Sequence, residues 1–120
     1  MSFVHLRTHT EYSVVDGTLR IDDLTAAARA DRQGALPITD LANLFGAVKF
    51  YGAARKAGVK PILGADVWVA PEGSGSDKPP SRLLLLVQSR TGYLHLCELL
   101  SRAWLGNVQR NQALAAWDWL

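Results

Sequence analysis

His9, Asp16, Asp40 and Asp66 are the residues of this sequence whose types could do chemistry together. An imidazole and carboxylates are suitable ligands for zinc or manganese. Each is expected at the C-terminal end of a strand or just beyond it, where functional groups collect in parallel α/β folds. The spacing is not diagnostic, and strand-end aspartates also serve as helix caps or ion-pair partners. Two cations share the neighbourhood. Arg7 lies near the end of the first expected strand and Arg82 opens the fourth. Arginine stays protonated and offers only donors, so neither can ligate a metal. His5 sits one pleat before this group and reads as a satisfied strand histidine. His95 reads as a helix-surface residue. Tyr12 and Ser13 are loop hydroxyls that could touch a phosphate or cap a turn.

The elements that must position these groups follow from the pattern. Phe3 to His9 alternates as a strand, with Phe3, His5, Arg7 and His9 on one side. Thr10 to Gly17 reads as a loop ending in the turn pair Asp16-Gly17. Ile21 to Arg32 is expected as a helix capped by Asp22 or Asp23, with Leu24, Ala27 and Ala28 as its apolar stripe and Gly34 as its stop. Ala35 to Thr39 reads as a short strand. Leu44 to Ala57 reads as a second helix with Phe45, Val48 and Tyr51 or Gly52 along its apolar side, stopped by Gly58. Val59 to Val69 reads as a strand interrupted at Gly64. Residues 71–81 form a flexible Gly-, Ser- and Pro-rich loop. Leu83 to Val87 has the unbroken apolar run of a strand buried on both faces. Thr91 can cap a third helix running to about Leu105. The order β-α-β-α-β-β-α argues for a parallel α/β architecture, either a barrel or an open doubly wound sheet.

Four stretches carry a resemblance: FVHLRTHTEYSVVDG (residues 3–17), PITDLANLFGAVKFY (37–51), GVKPILGADVWV (58–69) and RLLLLVQSRTGYLHL (82–96). In order and spacing they resemble the N-terminal PHP domain of the bacterial replicative polymerases, the DNA polymerase III alpha-subunit family. The resemblance covers essentially the whole chain, residues 1–120. It implies an α/β fold, the first part of a PHP-type distorted (β/α) barrel. A barrel needs roughly 200 residues or more to close, so the chain is expected to hold only its first half, with the apolar tail from Ala113 to Leu120 looking cut.

The resemblance also implies a metal centre, and here the sequence departs from the family. Metal-binding members carry a His-x-His pair on the first strand, where this chain has Arg7 and His9. The aspartate after it is present as Asp16. The Thr-Asp-His motif keeps Thr39 and Asp40 but has Leu41 in place of the histidine. A family glutamate is replaced by Asp66, and a family histidine by Arg82. Carboxylates left without metal repel one another, and guanidinium groups neutralise them through hydrogen bonds. Arg7 and Arg82 are therefore expected to pair with Asp16, Asp40 or Asp66, giving a structural network with no metal and no catalytic residue.

The function implied is that of a scaffold and docking module within a DNA polymerase, a nucleotidyltransferase that replicates the chromosome. This segment would be inactive alone. Mg2+ would serve only the parent polymerase domain, through which DNA would be bound. The expected partners are the proofreading exonuclease (epsilon) subunit and other replisome subunits. The rival is a metal-dependent 3′–5′ exonuclease or phosphoesterase built into the PHP domain. Composition agrees with a globular cytoplasmic chain: 48% hydrophobic, 20% charged, net charge +2 and one cysteine. That balance is too weak to announce nucleic-acid binding by itself. No apolar run reaches a membrane-span length. Cys97 reads as a buried helical thiol, and Lys49, Arg55, Lys56 and Lys60 as a basic side of the second helix. Trp104, Trp117 and Trp119 read as interface anchors or as core residues lacking cover.

Overall fold

The computed structural model describes residues 3–13, 16–71 and 78–120. Its elements are α1 (Ile21–Ala30), β1 (Ala35–Ile38), α2 (Ala47–Ala57), β2 (Lys60–Val69), β3 (Ser81–Leu86), α3 (Arg90–Gly106), β4 (Val108–Gln109) and β5 (Gln112–Ala115), with short 3-10 turns at Glu11–Ser13 and Trp117–Trp119. No helix among the described residues is long and apolar enough to cross a membrane.

β2 is the hub. Its first half runs parallel to β1, from Ala35 opposite Lys60 to Ile38 opposite Leu63. Its second half pairs antiparallel with β3, from Gly64 opposite Leu86 to Val69 opposite Ser81. Its last residues, Trp68 and Val69, also run parallel to β5 on the other edge. Gly64 marks where β3 closes in rather than an interruption. A Cβ there would lie 2.4 Å from the Leu85 carbonyl oxygen, so only glycine fits. β3 follows β2 in the sequence and runs antiparallel to it. It is only half-buried, not buried on both faces.

Two cores flank this hub. One joins Ile21 and Ala28 of α1, Leu36 and Ile38 of β1, and Phe50 and Ala54 of α2. The other sets Ala65, Val67 and Val69 of β2 against Leu96 and Leu100 of α3. Strand alternation then sends Gly64, Asp66 and Trp68 to the face opposite α3. That face carries the polar groups described below.

Several sequence expectations are corrected. Residues 3–9 form no strand. Their tie to the sheet is Thr8, whose N–H goes to the Thr39 hydroxyl at 2.7 Å while its carbonyl accepts from the Thr39 N–H at 2.9 Å. With a side chain taking that N–H, no ladder propagates, and Phe3 and Leu6 stay exposed. α1 has no side-chain cap; Arg20 occupies the cap position, and Asp22 and Asp23 lie in the first turn. Its buried face is Ile21, Thr25 and Ala28, and Ala27 faces outward. α2 starts at Ala47 and buries Ala47, Phe50 and Ala54, two alanines letting it sit close to its neighbours. Phe45, Val48 and Tyr51, expected inside, point outward. α3 is capped by Ser89, whose hydroxyl accepts from the Gly92 N–H, and not by Thr91. Cys97 is half-buried. The tail begins in a strand and ends in the 3-10 turn at Trp117–Trp119: β4 and β5 turn through Arg110 and Asn111, both left-handed at φ 52° and 64°, the turn geometry that a tight hairpin demands. The loop expected at 71–81 lies largely outside the described residues.

Candidate functional site

Asp40 and Asp66 anchor the polar face and have different surroundings. Asp40 follows β1 and is buried. Its Oδ1 accepts from the Thr10 N–H at 2.5 Å and the Ser13 hydroxyl at 2.9 Å, and its Oδ2 from the Thr10 hydroxyl at 2.8 Å. Three neutral donors satisfy it, as a buried carboxylate requires. Ser13 then accepts from the Leu41 N–H at 3.0 Å, and Asn43 donates to the Tyr12 carbonyl at 2.8 Å. Asp40 thus ties the loop after Arg7–His9 to the end of β1.

Asp66 has no solvent exposure. Its backbone N–H donates to the Asp40 carbonyl at 3.1 Å, and its own carbonyl accepts from Ala42 at 2.7 Å. Its carboxylate accepts from Arg7 Nε at 2.9 Å on Oδ2 and 3.0 Å on Oδ1. Oδ2 lies 2.5 Å from His9 Nε2, and His9 Nδ1 lies 2.9 Å from Asp16 Oδ1. Both ring nitrogens of His9 thus face carboxylate oxygens. Asp16 is met from its other side by Arg82 at 3.9 Å, the long limit of an ion pair. Arg82 is opposite Trp68 in the β2–β3 register, and its guanidinium stacks 4.7 Å from the Trp68 ring centre. Gly17 lets the loop return: a Cβ there would lie 1.9 Å from the Thr10 carbonyl oxygen.

The result is a chain of contacts, Arg7–Asp66–His9–Asp16–Arg82, in which basic side chains alternate with carboxylates. Of the residues singled out in the sequence, it links five. Asp40 is not among them, because Thr10 and Ser13 take its oxygens. Leu41 forms a parallel backbone bridge with Asp66 and presents no ligand. His5 is exposed and meets Phe3 edge-on at 4.7 Å instead of sitting in a strand. The sequence reading missed Thr10 and Ser13 as the holders of Asp40, Thr39 as the tie to Thr8, and Trp68 as the platform for Arg82. Only Trp68 left a trace, since its parity with Asp66 places both on one face.

An α/β chain with imidazole, carboxylates and guanidinium groups gathered over one face of its sheet defines a class. A family model described as PHP domain matches residues 5–120. The chain belongs to the PHP-domain family. It is 43% identical over 120 residues to the DNA polymerase III subunit alpha of Pseudomonas aeruginosa, which covers 100% of this chain and 10% of that protein. It is 42% identical over 118 residues to the same subunit of Escherichia coli (strain K12), covering 98% and 10%. The chain thus spans about a tenth of the length of the curated relatives it matches. Among solved structures it resembles an amidohydrolase from Chromobacterium violaceum with bound sulfate and no metal, at 20% identity and TM-score 0.65, covering 88% of this chain and 34% of that one. That likeness concerns the fold: an α/β chain corresponding to the first part of a PHP-type barrel.

Proposed function

We propose that this chain is the N-terminal part of the PHP domain of a replicative DNA polymerase III alpha subunit. It would work in the cytoplasm within a replisome, as scaffold and as docking surface for the proofreading exonuclease (epsilon) subunit. Sequence identity of 42–43% to alpha subunits across nearly the whole chain supports the assignment. Copying DNA would belong to a magnesium-dependent polymerase domain elsewhere in the protein, through which DNA is bound.

The observation that carries the non-catalytic reading is the state of His9 and Asp66. Both ring nitrogens of His9 face carboxylates, and both oxygens of Asp66 face His9 or Arg7. A metal would have to displace Arg7 and enter between two guanidinium groups. Cations there are repelled, and the donor set is already consumed. The residues present do not suit a divalent metal, so the network takes over the charge balance that metal ions supply in other members.

Two measurements test the proposal. Elemental analysis of the purified full-length protein is expected to find zinc and manganese well below one per chain. Stoichiometric metal with chelator-sensitive 3′–5′ nuclease activity would overturn the scaffold reading. Depleting the gene product in growing cells is expected to stop incorporation of labelled thymidine. Undiminished chromosome synthesis would overturn the replicative assignment.

A further inference from the structure

α2 presents its outer face in an unusual condition. Phe45, just before the helix, is 70% exposed, Val48 81% and Tyr51 44%. Val48 and Tyr51, three residues apart, share one face of the helix, and Phe45 precedes Val48 by the same step. Scattered exposed apolar residues are ordinary, whereas three in register on one exposed face are a patch that calls for cover.

The charge around the patch has one sign. From Leu41 to Ala65 the chain contains no aspartate or glutamate, and it carries Lys49, Arg55, Lys56 and Lys60. At 100° per residue Lys49 and Lys56 border Val48 on one flank, and Arg55 continues its line one turn or two further on. Arg55 is held over Tyr51, donating to its hydroxyl at 3.1 Å with its guanidinium 5.7 Å from the ring centre. The face is therefore apolar at its N-terminal half and cationic at its C-terminal half.

Gly52 lies in the middle of this face. It is exposed, and a Cβ built there would meet nothing within 4 Å. Its backbone is helical, so no left-handed geometry requires glycine. A helix-interior glycine costs about 0.5–1 kcal/mol relative to alanine. Nothing among the described residues uses the space it leaves. A missing side chain on a face ringed by exposed apolar groups admits the close approach of another backbone.

We propose that the outer face of α2 docks an acidic amphipathic helix of a partner protein. Apolar side chains of that helix cover Phe45, Val48 and Tyr51, its backbone crosses at Gly52, and its carboxylates meet Lys49, Arg55 and Lys56. The inference stands on α2 alone and does not depend on the polymerase assignment. Nucleic acid fits less well, because the most exposed apolar residue of the face, Val48, offers nothing to a phosphate and cannot stack on a base.

The test uses the isotope-labelled full chain and designed helical peptides. One peptide carries leucines at i, i+3, i+4 and i+7 with flanking glutamates, a second replaces the glutamates with lysines, and a third scrambles the first. The acidic helix is expected to shift amide resonances of residues 45–56, with the scrambled and basic peptides at least tenfold weaker. Val48→Glu is expected to abolish the shifts. Gly52→Ala supplies the decisive arm: it is expected to raise the melting temperature of the chain and to weaken binding at least fivefold. Shifts outside α2, no binding by the acidic helix, equal binding by the scrambled peptide, unchanged binding by Gly52→Ala, or stronger shifts with a single-stranded oligonucleotide would each overturn the proposal.

Discussion

Asp66 illustrates how one buried carboxylate organises several exposed or half-exposed groups. Replacing it with alanine leaves His9 Nε2 and Arg7 Nε without their acceptor. A fully buried pair broken on one side costs about 3–5 kcal/mol, but Arg7 is 51% exposed and regains water. We expect Asp66→Ala to cost about 1–3 kcal/mol, read as a lower urea midpoint at unchanged slope. Arg82→Ala, whose ion pair spans 3.9 Å, should cost less than about 1 kcal/mol. Asp40 belongs to the other class, since its three partners are neutral donors around a buried group. Asp40→Ala strands the Thr10 N–H and two hydroxyls and should cost about 2–4 kcal/mol, more than Asp66→Ala. Urea titration of the two variants side by side checks the order.

Residue types announced this cluster but not its wiring. Arg7, His9, Asp16, Asp66 and Arg82 were legible because ionisable groups recurred at expected strand ends. The separation of Asp40 was not, because threonine and serine hydroxyls have no pattern by which a sequence shows their acceptor. A smaller device sits on α3, where Cys97 beside Tyr93, by a hydrogen bond first and by charge second, pushes the phenol above its ordinary pKa of 10.0. The folded state then holds that proton longer than the unfolded one, so this contribution is complete below pH 10 and is lost as pH rises from there through the raised value. Comparing absorbance titrations of the wild type and Cys97→Ala should show one tyrosine ionising earlier in the variant.

Among the elements, helices were more legible than strands, and their extents more than their faces. α1, α2 and α3 fall where their composition put them. The inward face of α2 was misread because Phe45, Val48 and Tyr51 look like a core stripe, whereas the core takes Phe50 flanked by Ala47 and Ala54. Packing chose close approach over side-chain bulk. The strand expected at residues 3–9 failed for a local reason, the capture of the Thr8 N–H by a hydroxyl. β5 was missed because its turn, Arg110-Asn111, lacks the glycine that usually marks a hairpin. Gly64 was noticed and misassigned. Its role predicts that Gly64→Ala, by pressing on the Leu85 carbonyl, costs about 1–3 kcal/mol and speeds hydrogen exchange along β3 before it does so along β1.

For the whole molecule, the radius of gyration is 15.2 Å and the extents are 49 × 29 × 27 Å. A compact domain of this length has a radius near 13.6 Å, so the sheet is open rather than wrapped. A cavity of about 490 Å³ lies between β3 and α3, lined by Leu83, Leu85, Leu86, Leu99 and Trp119 among others. β3 is where this openness has a practical effect. Among the described residues β2 is its one strand partner, so the N–H and C=O groups along its far side form a row ready to be matched. Arg82 charges the start of this edge, but the four residues after it, Leu83 to Leu86, carry no charge or proline to discourage a stranger. At high concentration this row should template addition of a second molecule, strand to strand. Light scattering is expected to show mass rising with concentration, and Leu86→Lys, a charge placed on that rim, is expected to keep the chain monodisperse.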